Sequence, residues 1–376
     1  MGVWAYDYIW LLRRWSMIMG VWAYDYIWLR RRWSKIMGLW ASGIVITSGS
    51  EDVGVRLWAY GLLAFGNNNG LSTSAKVNYP PYGIDFPAGP TGRFTNGKTV
   101  ADIITELLGL KDYIQPFATA TASEIINGVN YASGSSGIRD EAGRNLGSHV
   151  GFNQQLNNHQ IAISRLTKTL KDSTAAHLNQ CLYTVGMGSN DYINDYFLPG
   201  SATSTRYTPD QFAGVLIDQY SKQIRTLHDA GARKIALFGL GAISCTPNSI
   251  VLFGKNGTCS ESITGAVQLF NVRLKSLVDQ LNKELTDSKV IYINSTGTLG
   301  RDPTKLGFKV FKSSCCQVNN VGLCSPSSTA CPNRNEFIFW DGFHPTEALN
   351  KLTAARAFHA PDPSDAYPFG ISQLVH

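Results

Sequence analysis

From about residue 75 onward, short apolar runs alternate with longer segments in which apolar residues recur every three or four positions. TNGKTVADIITELLGL sets Val100, Ile103, Ile104, Leu107 and Leu108 at helical spacing and predicts an amphipathic helix. NGVNYASG, around 128–134, reads as a short buried strand that ends in small residues. A long helix is expected within 148–171, followed by a strand in CLYTVGMGSND. TPDQFAGVLIDQY opens on a capping box, Thr208 to Gln211, with Pro209 at the first helical position. Next come a strand in ARKIALFGLG, a helix around 261–285 and a strand in KVIYIN; loops rich in cysteine then lead into a helix begun by HPTEALNKL. Unbroken apolar strands alternating with helices indicate an α/β fold, a three-layer αβα sandwich whose mostly parallel sheet is covered on both faces. In such sheets the chemistry sits at the carboxyl ends of the strands. Three loops leave those ends with polar or glycine-rich content: YASGSSG, GMGSND and WDGFHP.

The first fifty residues follow a different pattern. Residues 1–18 recur as 19–36, with only positions 12 and 17 of the unit changed, and eight of the nine tryptophans precede residue 60. One reading is a helix lying weakly on a membrane surface, Trp and Tyr at the headgroups and Arg in water. The Trp and Arg positions wrap around such a helix without leaving a clean apolar side, which favours an unstructured extension or a duplicated translation artefact. The chain therefore divides into an atypical Trp- and Arg-rich extension, 1–52, and one domain, 53–376, with no linker inside it. No stretch has the length of a transmembrane helix.

Composition narrows the function only slightly. Of the formal net charge of +6, residues 1–36 carry +4, so the rest is near neutral and offers no nucleic-acid surface. Six of the seven cysteines fall between 245 and 331 without nearby histidines or paired CxxC units. That argues against a zinc site and for disulfides in an oxidising compartment, with Cys245–Cys259 and Cys324–Cys331 as loop staples. Cys181, inside an apolar run, reads as a buried free thiol. Sequons at Asn256 (NGT) and Asn294 (NST) permit glycosylation.

The sharpest chemical signal is FIFWDGFHPTEALN, residues 337–350. A histidine that opens a helix, His344, with a carboxylate one turn earlier, Asp341, is an arrangement for orienting a general base. An Asp-x-x-His pair also serves as a simple cap, so the pair alone does not make a catalyst. Asn190 follows an apolar strand, where its amide can donate to an oxyanion, or else close a turn with Asp191. Gly134 offers an unobstructed backbone N–H to the same oxyanion, or merely a tight strand exit. Together these residues favour an ester-hydrolysing site.

With those residues in view, the chain from Gly66 to the C-terminus resembles the plant GDSL-type esterases and lipases of the SGNH hydrolase superfamily. The blocks that carry the resemblance are GNNNGLSTSAKVNYPPYGIDFPAGPTGRFTNGKTVADII, INGVNYASGSSGI, GMGSNDYINDY, ARKIALFGLGAISCTPN, CCQVNNVGLC and FIFWDGFHPTEA. The resemblance implies a secreted, flavodoxin-like protein with about five parallel strands and no cofactor or metal. It implies Gly134 and Asn190 as oxyanion donors, and Asp341 and His344 as two members of a catalytic triad.

The third member is missing from its place. The family's Gly-Asp-Ser-Leu block stands at the end of the first strand, shortly before the GNNN segment. Counting back without a gap through LWAYGLLAFGNNNG puts Tyr60 at the Asp and Gly61 at the nucleophile. Ser50, after the apolar run GIVI, is a weak substitute that requires an insertion of some eleven residues. Ser133 and Ser189 lie in the other site loops and read as loop hydrogen-bonding groups. Three hypotheses remain: a carboxylic-ester hydrolase acting on an acyl or lipid ester; a non-catalytic relative that binds one; and a faulty gene model whose first 65 or so residues replace a signal peptide and the first block.

Overall fold

The structure, a computed structural model, describes residues 55–61, 66–297 and 302–376; the N-terminal repeat, with its membrane-surface reading, the GIVI run and Ser50 lie outside the described residues. Nine strands are described: β1 (Leu57–Tyr60), β2 (Gln115–Pro116), β3 (Gly128–Asn130), β4 (Leu182–Val185), β5 (Lys234–Phe238), β6 (Lys289–Ile293), β7 (Val310–Ser314), β8 (Phe337–Phe339) and β9 (Ala366–Tyr367). The helices that accompany them include α1 (Val100–Leu107), α2 (Phe152–Leu170), α3 (Pro209–Asp229), α4 (Pro247–Phe253), α5 (Glu261–Glu284) and α6 (Glu347–His359). The main sheet has seven strands in the order β2-β3-β1-β4-β5-β6-β9, not about five. The five expected strands are its parallel centre. The two additions, β2 and the antiparallel β9, are two-residue edge pairings too short to leave a periodic signal.

The segment that the family resemblance aligns with the first strand is a strand, and a central one. LWAY pairs in parallel with β3 on one side and β4 on the other, Trp58 lying opposite Val129 and Tyr183. Its four residues are fully buried and alternate between two cores, as a central strand with helices on both faces must. Trp58 and Tyr60 join the side formed with α2, α3 and α5, whereas Leu57 and Ala59 join the side formed with α1 and α6. The expected caps are also present: Thr208 and Gln211 form a reciprocal capping box, with Pro209 in the first turn of α3. Thr99 and Asp102 do the same for α1, and the buried Asp102 carboxylate also pairs with both arms of Arg93.

Beneath the sheet, the side chain of His159 on α2 is enclosed edge-on by Trp58, Tyr60, Tyr131 and Tyr183, at ring distances of 4.8–6.0 Å. Burial without a charge partner pulls its imidazole down to about 3. A histidine that folds neutral contributes stability above its unfolded value of about 6.5 and loses it as the pH falls towards 3. The stability gap between the wild type and His159→Gln should therefore shrink by roughly 2–3 kcal/mol from pH 7.5 to pH 4.5, measured by urea unfolding. A pH-independent gap would show that His159 is not held neutral.

The disulfides correct one expectation. Cys245–Cys259 is present, but Cys324 pairs with Cys316 and Cys331 with Cys315; Cys324 and Cys331 are not bonded to each other. The reason lies in how the chain turns back. Val318 bridges antiparallel to Cys324, and Asn319 N donates to Leu323 O at 2.7 Å, a tight return that delivers Cys324 to Cys316. Cys331 N donates to Cys315 O at 2.7 Å, which sets that second pair side by side. Cys181 is free and buried, as its apolar context implied, and burial pushes its thiol up to about 11. Denatured without reductant, the protein should expose a single reactive thiol, and reduction should raise the count to seven. Three or more thiols before reduction would contradict this pairing.

Candidate active site

Three of the expected residues converge by topology. β3, β1 and β4 are adjacent and parallel, so Gly134, Gly61 and Asn190 all lie beyond the carboxyl ends of neighbouring strands, at one edge of the sheet. The fourth and fifth, Asp341 and His344, arrive on the loop after β8. That strand belongs to a separate two-stranded parallel sheet with β7. Cys315 N donates to Phe339 O and Trp340 O, so the disulfide segment anchors the start of this loop.

His344 Nδ1 lies 2.9 Å from both oxygens of Asp341. A carboxylate only accepts, so Nδ1 is the donor and Nε2 is left as the basic nitrogen. Asp341 is fully buried, and its remaining bonds are saturated. Oδ1 accepts from the backbone N–H of Phe343 and His344 at 2.9 and 2.7 Å, and Oδ2 accepts from the Tyr82 hydroxyl at 2.6 Å. Burial and the Asp341 charge both push the Tyr82 phenol far above its ordinary value, so it stays a donor. Its oxygen in turn accepts from Cys324 N at 2.9 Å. His344 does not itself open the helix: Thr346 caps α6 two residues later. The imidazole rests against Phe94, ring centres 4.7 Å apart, and a methyl group added at Gly134 would meet Phe94 Cζ at 2.7 Å. The histidine and Gly134 thus both lie against the Phe94 ring.

The side of the site that bears Asn190 is equally well braced. Asn190 Nδ2 donates to Ser136 O at 2.8 Å while its Oδ1 accepts from Asn194 Nδ2 at 2.7 Å, which fixes the amide and leaves its second N–H unassigned. Asp191 is buried and accepts from Ile138 N and Arg139 N at 2.8 and 2.9 Å, tying the β4 loop to the β3 loop. Burial pushes it up to about 7 even though those two N–H groups pull it down. Among the described residues, none takes the backbone N–H of Gly134.

Several residues of the site were not singled out in the sequence. Asn67 Nδ2 donates to Asn130 O and Ala132 O at 3.0 and 2.9 Å, and Asn68 Nδ2 donates to Gly134 O at 3.1 Å. Asn68 Oδ1 takes the Ser133 hydroxyl, whose oxygen also accepts from Val150 N, so Ser133 is a loop brace with no freedom to attack. A run of three asparagines next to a glycine was the available signal. Tyr82 and Phe94 had none, since both contacts span over 200 residues.

Gly61 occupies the end of β1 with φ +68°, a left-handed conformation that favours glycine. A Cβ there would strike Met187 Sδ and stand 2.5 Å from Gly186 O. The space a side chain would need is therefore already filled by Met187, which is 2% exposed. A polar cleft of about 490 Å³, lined by Asp85, Asn96, Arg334, Glu347 and Lys351 among others, contains none of these site residues. Its charges are matched, Arg334 with Asp85 and Lys351 with Glu347 inside the cleft and Glu336 with Lys309 outside it. Among the described residues, no group of three His, Cys, Asp or Glu side chains stands ready for a metal.

Comparison with known proteins adds three findings. The GDSL-like lipase/acylhydrolase family model matches residues 59–357, beginning on β1 two residues before Gly61. A GDSL esterase/lipase of Arabidopsis thaliana is 48% identical over 319 residues, 82% of this chain and 88% of that protein, and a second is 46% identical over 324 residues, 84% and 90%. Among solved structures, a carbohydrate esterase aligns over 80% of this chain and 66% of its own at 13% identity, with a TM-score of 0.36.

Proposed function

Because the chain belongs to the GDSL-like lipase/acylhydrolase family, we propose that its domain carries a carboxylic-ester hydrolase site from which only the nucleophile is absent. Asp341 holds His344 with Nε2 as the base, and Gly134 N–H and Asn190 Nδ2 donate to the carbonyl oxygen as it gains charge. In the complete mechanism a serine oxygen bonds to the carbonyl carbon and its proton passes to the histidine. The alcohol then leaves with that proton, and water hydrolyses the acyl-enzyme by the same route. Gly61 has no oxygen to attack with. What the remaining groups support is binding of an acyl ester and slow hydrolysis by solvent water of a carbonyl polarised by the two donors, with no proton transfer through His344.

The observation that carries this reading is the Asp341–His344 pair, 2.9 Å apart and one ring from Gly134, next to a strand end that bears no side chain. The three disulfides support export to an oxidising compartment. A fluorophosphonate probe, which labels only activated serines, tests it directly: the purified full chain should stay unlabelled. Labelling would overturn the reading, and peptide mapping would then show whether Ser50 or another serine is the nucleophile.

A further inference from the structure

We propose that Asn256, and not Asn294, is the residue of this chain that carries an N-linked glycan. Both head an Asn-x-Thr sequon, so the sequence does not separate them. Their surroundings do. Asn256 and Gly257 have φ +53° and +69°, and Thr258 N donates to Lys255 O at 3.0 Å. This is the two-residue left-handed turn that Asn-Gly favours, and it projects the asparagine at its tip. Asn256 is exposed, and among the described residues no group bonds its amide; a Cβ at Gly257 would meet nothing within 4 Å. The turn is held in place by the Cys245–Cys259 disulfide and by Lys312 Nζ, which donates to Gly257 O at 2.8 Å.

Asn294 is in the opposite situation. Its Nδ2 donates to Ser364 O at 2.9 Å, and its Oδ1 accepts from Thr296 N, Thr296 Oγ1 and Gly297 N. A sugar on that nitrogen would crowd the bond by which Asn294 Nδ2 holds Ser364 O, the link between the end of β6 and the segment that leads into β9. A second feature also points to Asn256. Val251 and Leu252, the last exposed turn of α4, are 80% and 64% exposed, and the loop folds back so that Gly254 lies against Thr258 O and Ile250 O. A glycan at the tip would shield this apolar pair from water.

In the transfer, Asn256 Nδ2 bonds to C1 of the first sugar of a lipid-diphosphate-linked oligosaccharide. The amide loses a proton, and the lipid diphosphate leaves. The test expresses the full chain behind a cleavable secretion signal in a eukaryotic host and treats the secreted protein with peptide-N-glycosidase. A single mobility shift is expected, lost in Asn256→Gln and in Thr258→Ala but kept in Asn294→Gln. The enzyme should leave Asp at 256, read by peptide mass. Secreted protein with no shift, with two glycans, or with a shift that follows Asn294→Gln overturns the assignment.

Discussion

The full chain is expected to hydrolyse simple aryl esters at a rate that His344→Ala changes by less than about twofold, because a base without a nucleophile has little left to do. In well-studied serine hydrolases, removing the nucleophile or the base alone costs on the order of 10⁶ in kcat, about as much as removing the whole triad, and leaves ~10³- to 10⁴-fold over water. Those losses are not additive, so once position 61 is glycine the second deletion should be nearly silent. Steady-state kinetics on the two purified proteins would decide it. Fast turnover that collapses with His344→Ala would mean that another serine is in place, and Ser50→Ala would then be the first variant to examine. Returning a serine by single substitution should not recover activity. Gly61→Ser imposes a left-handed conformation costing about 1–2 kcal/mol and drives the new side chain into Met187. Tyr60→Asp, the other half of the family block, would put a carboxylate into a fully buried position, in place of a ring that now stacks on Tyr131 at 4.9 Å.

Trp58→Ala should destabilise the domain by about 3–5 kcal/mol, a large fraction of the ~5–15 kcal/mol that holds an ordinary domain together. Trp58 is fully buried, roughly parallel to Tyr131 and Tyr183 at 6.0 and 6.2 Å, with His159 edge-on at 4.8 Å. Its removal opens a cavity on the central strand, where no loop can collapse to fill it. Calorimetry should show Tm lower by something on the order of 10 °C. A loss below 1 kcal/mol would mean that LWAY does not supply the central strand. That would favour the view that the first block of the chain is a replacement foreign to the fold.

The interior of the fold could be read from periodicity because its strands lie between two helical layers and so became unbroken apolar runs. β2 and β9 are not legible in the sequence because two-residue edge pairings leave no such run. The site was legible wherever its residues cluster in sequence: WDGFHP carries both partners of the Asp341–His344 hydrogen bond, and GMGSND carries Asn190 with its bracing Asp191. Tyr82 and Phe94 stayed hidden because their meaning depends on a fold-back across some 250 residues. The expected Cys324–Cys331 pairing differs from the observed ones for a related reason. Spacing along the chain could not show that residues 318–324 double back, which brings Cys324 to Cys316 and leaves Cys331 for Cys315.

One link in this arrangement has a bearing on how the protein matures. The Tyr82 hydroxyl that steadies Asp341 is itself held by Cys324 N, on the segment closed by the Cys316–Cys324 bond. The sheet contains no cystine, so it can assemble from a reduced chain. Closing that bond fixes the segment from which Cys324 N reaches the Tyr82 hydroxyl, so a reduced chain is expected to keep its sheet and to hold the Asp341–His344 pair less firmly.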